Sequence, residues 1–319
     1  MNINKLDRSA LVSRLCHYYL SEGDSVEQAL QKLRSELGHE YANAINLFES
    51  SLTVNPKTKS KKGDGLDSMV NSLACDVKSL SGDNRQLVNV THEVLNKVTP
   101  GFKSCAKFFS ALFLYPSILF VISLVIYSLY KTFIFPSMVS HAFEGNVPPL
   151  TKVFFSDVAG VLIAIGAILI VVFVLYQINY LIKSFSQIKP KKSLIGTLTG
   201  TDQHYAYLVF LAYLKILLKC GAQPNVSFEK AESYANLDEI KTDYYRHNKT
   251  ALLILREHKR ATVLQEVDYQ LDDVMGGLAH ALTLKQEKIL LSFQFCITIF
   301  IGYMVVAMYL PIFKLASIY

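Results

Sequence analysis

Three long stretches of this 319-residue sequence contain no charged residue at all: Phe108 to Tyr130, Ala159 to Ile182 and Ile289 to Phe313. Cysteine is also sparse. Cys16, Cys75, Cys105, Cys220 and Cys296 are widely scattered with no CxxC pair. That spacing argues against a zinc site and for free thiols, either in reducing cytosol or in a membrane helix. The GxxxxGK[ST] phosphate loop is missing. GTLTGTDQ (196–203) has glycines but no lysine to reach phosphates, and reads as a turn. His92-Glu93 is not part of an HExxH, the eight histidines never pair at metal-ligand spacing, and no GxSxG elbow occurs. With those motifs absent, the chain is expected to be no enzyme and to carry no cofactor.

What is present is hydrophobic and unevenly distributed. Mean hydropathy is +0.28, with 51% hydrophobic and 18% charged residues. Each uncharged run is long enough for a hydrocarbon core of ~30 Å. With no charge inside them, they read as anchors rather than as a proton or ion path. Lys103 and Lys107 precede the first run. Lys183, Lys189, Lys191 and Lys192 follow the second, and Lys285 and Lys288 precede the third. The other side has only Lys131, Lys152 and Lys314. The positive-inside rule therefore places the modules in the cytoplasm, the link HAFEGNVPPLTK and the tail KLASIY in the periplasm. The opening MNINKLDRSALVSRL has no basic-then-apolar signal, so the first module is expected to stay cytoplasmic. The net charge of +6 is largely explained by these flanking lysines, and no nucleic-acid partner is expected.

The expected architecture is all-α: a polytopic membrane protein with three transmembrane helices and two helical-bundle cytoplasmic modules. Its divisions are a first module (1–107), helix one (108–135), a periplasmic link (136–152), helix two (153–182), a second module (183–288), helix three (289–313) and a periplasmic tail (314–319). Ala10 to Leu33 reads as two helices broken at Gly23, with Leu11, Leu15 and Tyr18 on one face. YLVFLAYLKILLKCGAQPNVSFEKA has the same form, with Gly221 ending a helix and a second helix starting near Phe228. Glycine after a periodic segment is the expected left-handed cap. The run Tyr207 to Leu218 is too short to span and fits a buried core helix. This repeated order of elements is either an ancient duplication, with a second copy some four residues longer after its glycine, or chance likeness between amphipathic helices. NPKTKSKKGDGLD (55–67) reads as a loop, either merely solvated or contacting anionic head groups or an acidic partner.

The charges that stand out are Asp272 and Asp273, on a helix whose Val267, Leu271, Val274, Leu278 and Leu282 mark a packed face. Adjacent carboxylates suit a divalent cation aided by other oxygens, an Arg or Lys of a partner, or simply solvent. Gly276-Gly277 beside them costs the helix about 1 kcal/mol per glycine relative to alanine. That cost points to close approach by another helix, from the same module or from a second subunit.

Several segments, in order, resemble the type II secretion F-domain family, the platform proteins of type II secretion systems and type IV pili. GYMVVAMYLPIFKLASIY is similar to the family's closing signature, and SALFLYPSILF with FIFP to the two ends of its first span. VPPLTKVFFSDV is similar to the lead-in to the second span, FLAYLKILLKCGAQ to the helix ending in a glycine turn, and LDDVMGGLAHAL to the acidic segment before the last span. Asp272-Asp273 stands where the family has a glycine-glutamate pair. The resemblance implies a bacterial inner-membrane platform that contacts a cytoplasmic assembly ATPase, a pilin or pseudopilin and other inner-membrane assembly proteins, and that forms homo-oligomers, dimers being favoured. Its packing or partner candidates are Gly23, Pro116, Pro136, Gly221, Asp272, Asp273, Gly276, Gly277 and Pro311. The rival readings are a membrane subunit of an ATPase-driven transporter and a membrane-bound signalling protein.

Overall fold

Each half of the chain opens with the same helical punctuation. In the computed structural model, α1 (Ile3–Ser21) and α2 (Val26–Glu36) flank Gly23 at φ +107°. Later, α6 (Thr201–Lys219) and α7 (Pro224–Ala235) flank Gly221 at φ +99°. Only glycine adopts such angles without a steric penalty. The capping bonds match: Glu22, Gly23 and Asp24 donate to Tyr18, Leu20 and Tyr19 carbonyls, as Cys220, Gly221 and Ala222 donate to Ile216, Leu218 and Leu217. A constant shift of 198 residues, Gly23 to Gly221, also carries the buried Ala29, Leu30 and Leu33 of α2 onto the buried Ser227, Phe228 and Ala231 of α7.

The expected start of the second helix near Phe228 is thus corrected to Pro224. Proline at the first helical turn loses no hydrogen bond the helix would have used, so it starts the helix sooner than the apolar pattern indicates. With that start, the apparent four-residue excess in the second copy disappears.

The structure describes residues 3–53, 76, 84–137, 148–158, 160–161, 190–192, 196–197, 200–237 and 245–316, with isolated residues between 165 and 179. Loop 55–67, most of the expected second span and most of the link before Val147 lie outside the described residues. Between the repeats come a 3-10 turn (His39–Tyr41), α3 (Ala42–Thr53), the 46-residue α4 (Asn84–Leu129), a π-helical turn (Tyr130–Ile134) and the short α5 (Pro149–Phe154). After them come α8 (Arg246–Leu255) and the 57-residue α9 (Arg260–Ala316). All regular structure among the described residues is helical. Helix α4 runs on through Pro100 and Pro116, and α9 through Pro311.

The chain divides into two compact units. Met1–Ala106 with Gln177–Leu282 form the first, and Lys107–Tyr176 with Thr283–Tyr319 the second. Both of the expected modules thus contribute to one unit. The reason lies in α6, whose residues from Tyr205 to Leu218 are all buried. A helix apolar on every side needs neighbours all round. It packs on α7, on the first part of α4 through Phe102 and Tyr205, and on α9.

In the second unit the packing is inverted. Ile118–Ser137 and Leu290–Leu310 are long and apolar enough to cross a membrane, yet only 17% and 12% of each is buried. Ile118, Ile122, Phe133, Leu291, Phe295 and Phe313 all point outward. One end of this unit has a small core of Tyr127, Tyr130, Phe155, Met304 and Ala307. Two hydrogen bonds secure it. Tyr130 donates its hydroxyl to the Met308 carbonyl at 2.9 Å, and Thr151 Oγ1 donates to the Ala307 carbonyl at 2.9 Å. Lys131 falls inside the first of these stretches, as it does in the expected helix one (108–135). It meets Asp157 at 3.2 Å and donates to the Ser156 carbonyl at 3.2 Å, in a notch that a side chain at Gly160 would fill.

The glycines differ in what faces them within the chain, which leaves approach to Gly276-Gly277 to a second subunit. A Cβ on Gly276 or Gly277 meets nothing within 4 Å, so no other part of the described chain approaches that pair. Gly101 on α4 is where helices close in: its Cβ would lie 2.8 Å from Met275 Sδ, 3.0 Å from Leu208 Cδ2 and 3.2 Å from Leu278 Cδ2. Gly101→Leu is therefore expected to overpack the first unit and cost ~1–3 kcal/mol. Gly277→Leu should not destabilise, and should gain up to about 0.8 kcal/mol from helix propensity. Circular-dichroism melts of the detergent-solubilised chain check both.

Candidate functional site

The first unit presents a buried ionic knot, an exposed face on α9 and a cavity against α1. The knot centres on Lys215, whose side chain is 1% exposed in the middle of α6. Lysine is almost never buried so completely without a partner. Its ammonium lies 2.5 Å from Asp268 Oδ1 on α9 and 3.7 Å from Glu93 Oε1 on α4. The Asp268 contact is ionic, for Oδ1 makes no hydrogen bond of good geometry. Lys219, one turn on, donates to both oxygens of Glu93 at 2.5 and 2.6 Å. Burial tends to raise the Glu93 pKa, but the two lysines outweigh it and hold the carboxyl below its ordinary range. Nearby, the Tyr207 hydroxyl donates to Gln270 Oε1 at 2.5 Å, and Gln270 donates onward to the Asn248 carbonyl and to Glu266. These side chains fix the register of α9 against α6 and α4. They form a structural lock.

Opposite the packed stripe, α9 exposes Gln265, Tyr269, Asp272, Asp273, Gly276, Gly277 and His280. Tyr269 is 70% exposed, and α8 adds the exposed Leu253 and Ile254. A groove of about 380 Å³ beside Tyr269 is lined by Leu255, Thr262, Gln265 and Glu266. The acidic pair is not symmetric. Asp272 accepts from Lys97 Nζ at 3.1 Å, whereas Asp273 forms no ion pair among the described residues. Among those residues, no group of three or more His, Cys, Asp or Glu side chains is placed to hold a metal ion. The divalent-cation reading of Asp272 and Asp273 thus lacks a third such side chain there, while the partner reading has an exposed carboxylate, a ring and two bare glycines on one helix face.

The remaining expected residues serve the fold. Gly23 and Gly221 terminate helices, and Pro136 is exposed just after the π-helical turn. Pro116 and Pro311 lie within α4 and α9. Cys16, Cys105 and Cys220 are buried, and burial pushes the Cys16 and Cys105 thiols up to about 12. Sequence reasoning missed Lys215 and its carboxylates. The available signal was a lysine inside an otherwise apolar run.

The cavity, about 680 Å³, lies between α1, the 3-10 turn and α4. His92 on its wall stacks on His17 with ring centres 4.7 Å apart, and His17 Nδ1 is 3.0 Å from Asn89 Oδ1. Burial, then the charges of His17 and Arg14, push His92 down to about 4, against a smaller upward pull from Glu93. In comparisons with known proteins, no family model, no curated protein and no solved structure matches the chain.

Two outcomes follow. Asp268→Asn strips the buried ammonium of its nearest counter-charge. It should cost on the order of 2 kcal/mol, below the ~3–5 kcal/mol of a fully orphaned buried charge because Glu93 remains, while Lys215→Met should be close to neutral. Thermal melts rank the two variants. For His92, the unfolded ring titrates near 6.5 and the folded ring at about 4. The unfolded chain therefore binds a proton across that window that the folded chain does not. His92 leaves stability intact above about pH 6.5 and erodes it as pH falls toward 4. The drop in melting temperature between pH 7 and pH 5 should be smaller in His92→Gln.

Proposed function

We propose that this chain is a non-enzymatic inner-membrane platform protein of a bacterial type IV pilus or type II secretion machine. On this reading it has three membrane helices, a cytoplasmic first unit and a periplasmic C-terminus. It couples a cytoplasmic assembly ATPase to extraction and polymerisation of a pilin or pseudopilin, alongside other inner-membrane assembly proteins and as a homo-oligomer, with dimers favoured. The observation that carries the reading is convergence. Three segments that resemble the family at distant points of the sequence meet in one small core: Tyr127, Tyr130 and Phe135 around FIFP, Thr151 and Phe155 of VPPLTKVFF, and Met304, Ala307 and Met308 of the closing signature. Two outward-facing apolar stretches of membrane-spanning length add to it. The spans supply anchorage, and the exposed α9 face supplies a docking surface for a partner with basic groups.

Because Asp272 is tied to Lys97, charge reversal there would disturb the fold as well as the surface. Asp273→Lys and Tyr269→Ala are the cleaner probes. In a strain lacking the gene, each is expected to reach normal membrane levels by immunoblot yet fail to restore piliation or secretion. Reversal is the informative change, since neutralising an exposed charge often does little. Full complementation by both would remove the α9 face from the proposal. Normal pili and normal secretion in the deletion strain itself would refute the platform function.

A further inference from the structure

We propose that the cavity between α1, the 3-10 turn and α4 is a binding site for a phosphate group, carried either by a small soluble compound or by the head group of an anionic phospholipid. Its volume of about 680 Å³ is in the range of ligand pockets. Arg8, Arg14 and Lys103 bring three positive charges to its wall against the single carboxylate of Glu40, which Arg8 engages at 3.0 Å. Arg14 is exposed, and no ion pair holds it among the described residues. Ser13, only 1% exposed, also lines the cavity, and its Oγ has no hydrogen-bond partner among the described residues. A buried hydroxyl without a partner costs free energy, and a small rotation of Ser13 toward the cavity would give a phosphate oxygen a donor. The planar guanidinium fork of arginine matches phosphate oxygens two at a time.

The internal repeat provides an independent argument. Shifting by the Gly23-to-Gly221 register carries the α1 wall, Arg8, Ala10, Leu11, Ser13 and Arg14, onto Ala206, Leu208, Val209, Leu211 and Ala212 of α6. All five α6 residues are apolar and fully buried. One copy of the duplicated helix packs this face shut. The other has placed two arginines and a serine on it and left a cavity. Arg8 of that set is used within the fold, on Glu40 and over the Tyr41 ring, whereas Arg14 is left for a ligand.

The test uses the full chain in uncharged detergent, with pyrophosphate as the soluble probe, and in nanodiscs of phosphatidylcholine with or without phosphatidylglycerol. Pyrophosphate binding by calorimetry, or phosphatidylglycerol retained through purification and seen by native mass spectrometry, should be at least about tenfold weaker in Arg14→Ala, one tenfold being 1.4 kcal/mol. Ser13→Ala should weaken it less, and Arg256→Ala, a surface arginine paired with Glu229, should have no effect. Binding of pyrophosphate identifies a soluble ligand; selective retention of phosphatidylglycerol identifies a head group. Equal loss in Arg14→Ala and Arg256→Ala would reduce the effect to general surface charge and overturn the site. So would the absence of Arg14-dependent binding by either probe. None of these outcomes depends on the platform function.

Discussion

A helix buried on every face has no stable existence until its surroundings are assembled, and α6 sets that condition for the whole first unit. Its buried side chains need a covering from α4, α7 and α9 together. The one charge within its buried stretch from Tyr205 to Leu218, Lys215, needs carboxylates from two of those helices. Apolar burial supplies the drive, but it is non-directional and would tolerate several registers of α9 against α6. The ammonium of Lys215 does not. Sliding α9 would take Asp268, the nearest counter-ion, away from the buried ammonium, so the ionic knot favours one arrangement among many that would bury similar area.

The duplicated helix pair was legible in the sequence at its glycines and nearly illegible elsewhere. Gly23 and Gly221 announce left-handed caps because no other residue fits there so cheaply. The start of α7 was missed because the apolar pattern begins at Phe228, a full turn after Pro224 has already opened the helix. Gly101 and the Gly276-Gly277 pair show a deeper limit. A glycine that permits close approach and one that faces open space look alike in a linear sequence, since the difference lies in what folds against them. The partners of Lys215, on α4 and α9, were hidden for the same reason.

In the second unit, composition told nearly everything about the outward surface and little about the inner contacts. Uncharged runs of sufficient length predict a lipid-facing exterior, and the exposed Ile118, Phe133, Leu291 and Phe313 agree with it. That Thr151 would bind a carbonyl of α9, and that Phe155 would be enclosed by tyrosines of α4, depended on tertiary placement. The candidate docking face on α9 was legible in part. Its acidic and glycine pairs were visible in sequence, but the link of Asp272 to Lys97 and the exposed ring of Tyr269 were not.

The notch around Lys131 bears on how such a chain would be made. As α4 emerges from the ribosome, its apolar stretch carries a lysine whose counter-charge, Asp157, and whose carbonyl acceptor, Ser156, have not yet been synthesised. An unpaired ammonium strongly resists entering hydrocarbon. The first span, on the membrane reading, is therefore held with this end at the interface until the following segment arrives, and Gly160 leaves room for the lysine to dock when it does. On that reading the first span and the segment carrying Asp157 would enter together, with the order of synthesis written into the placement of a single charge.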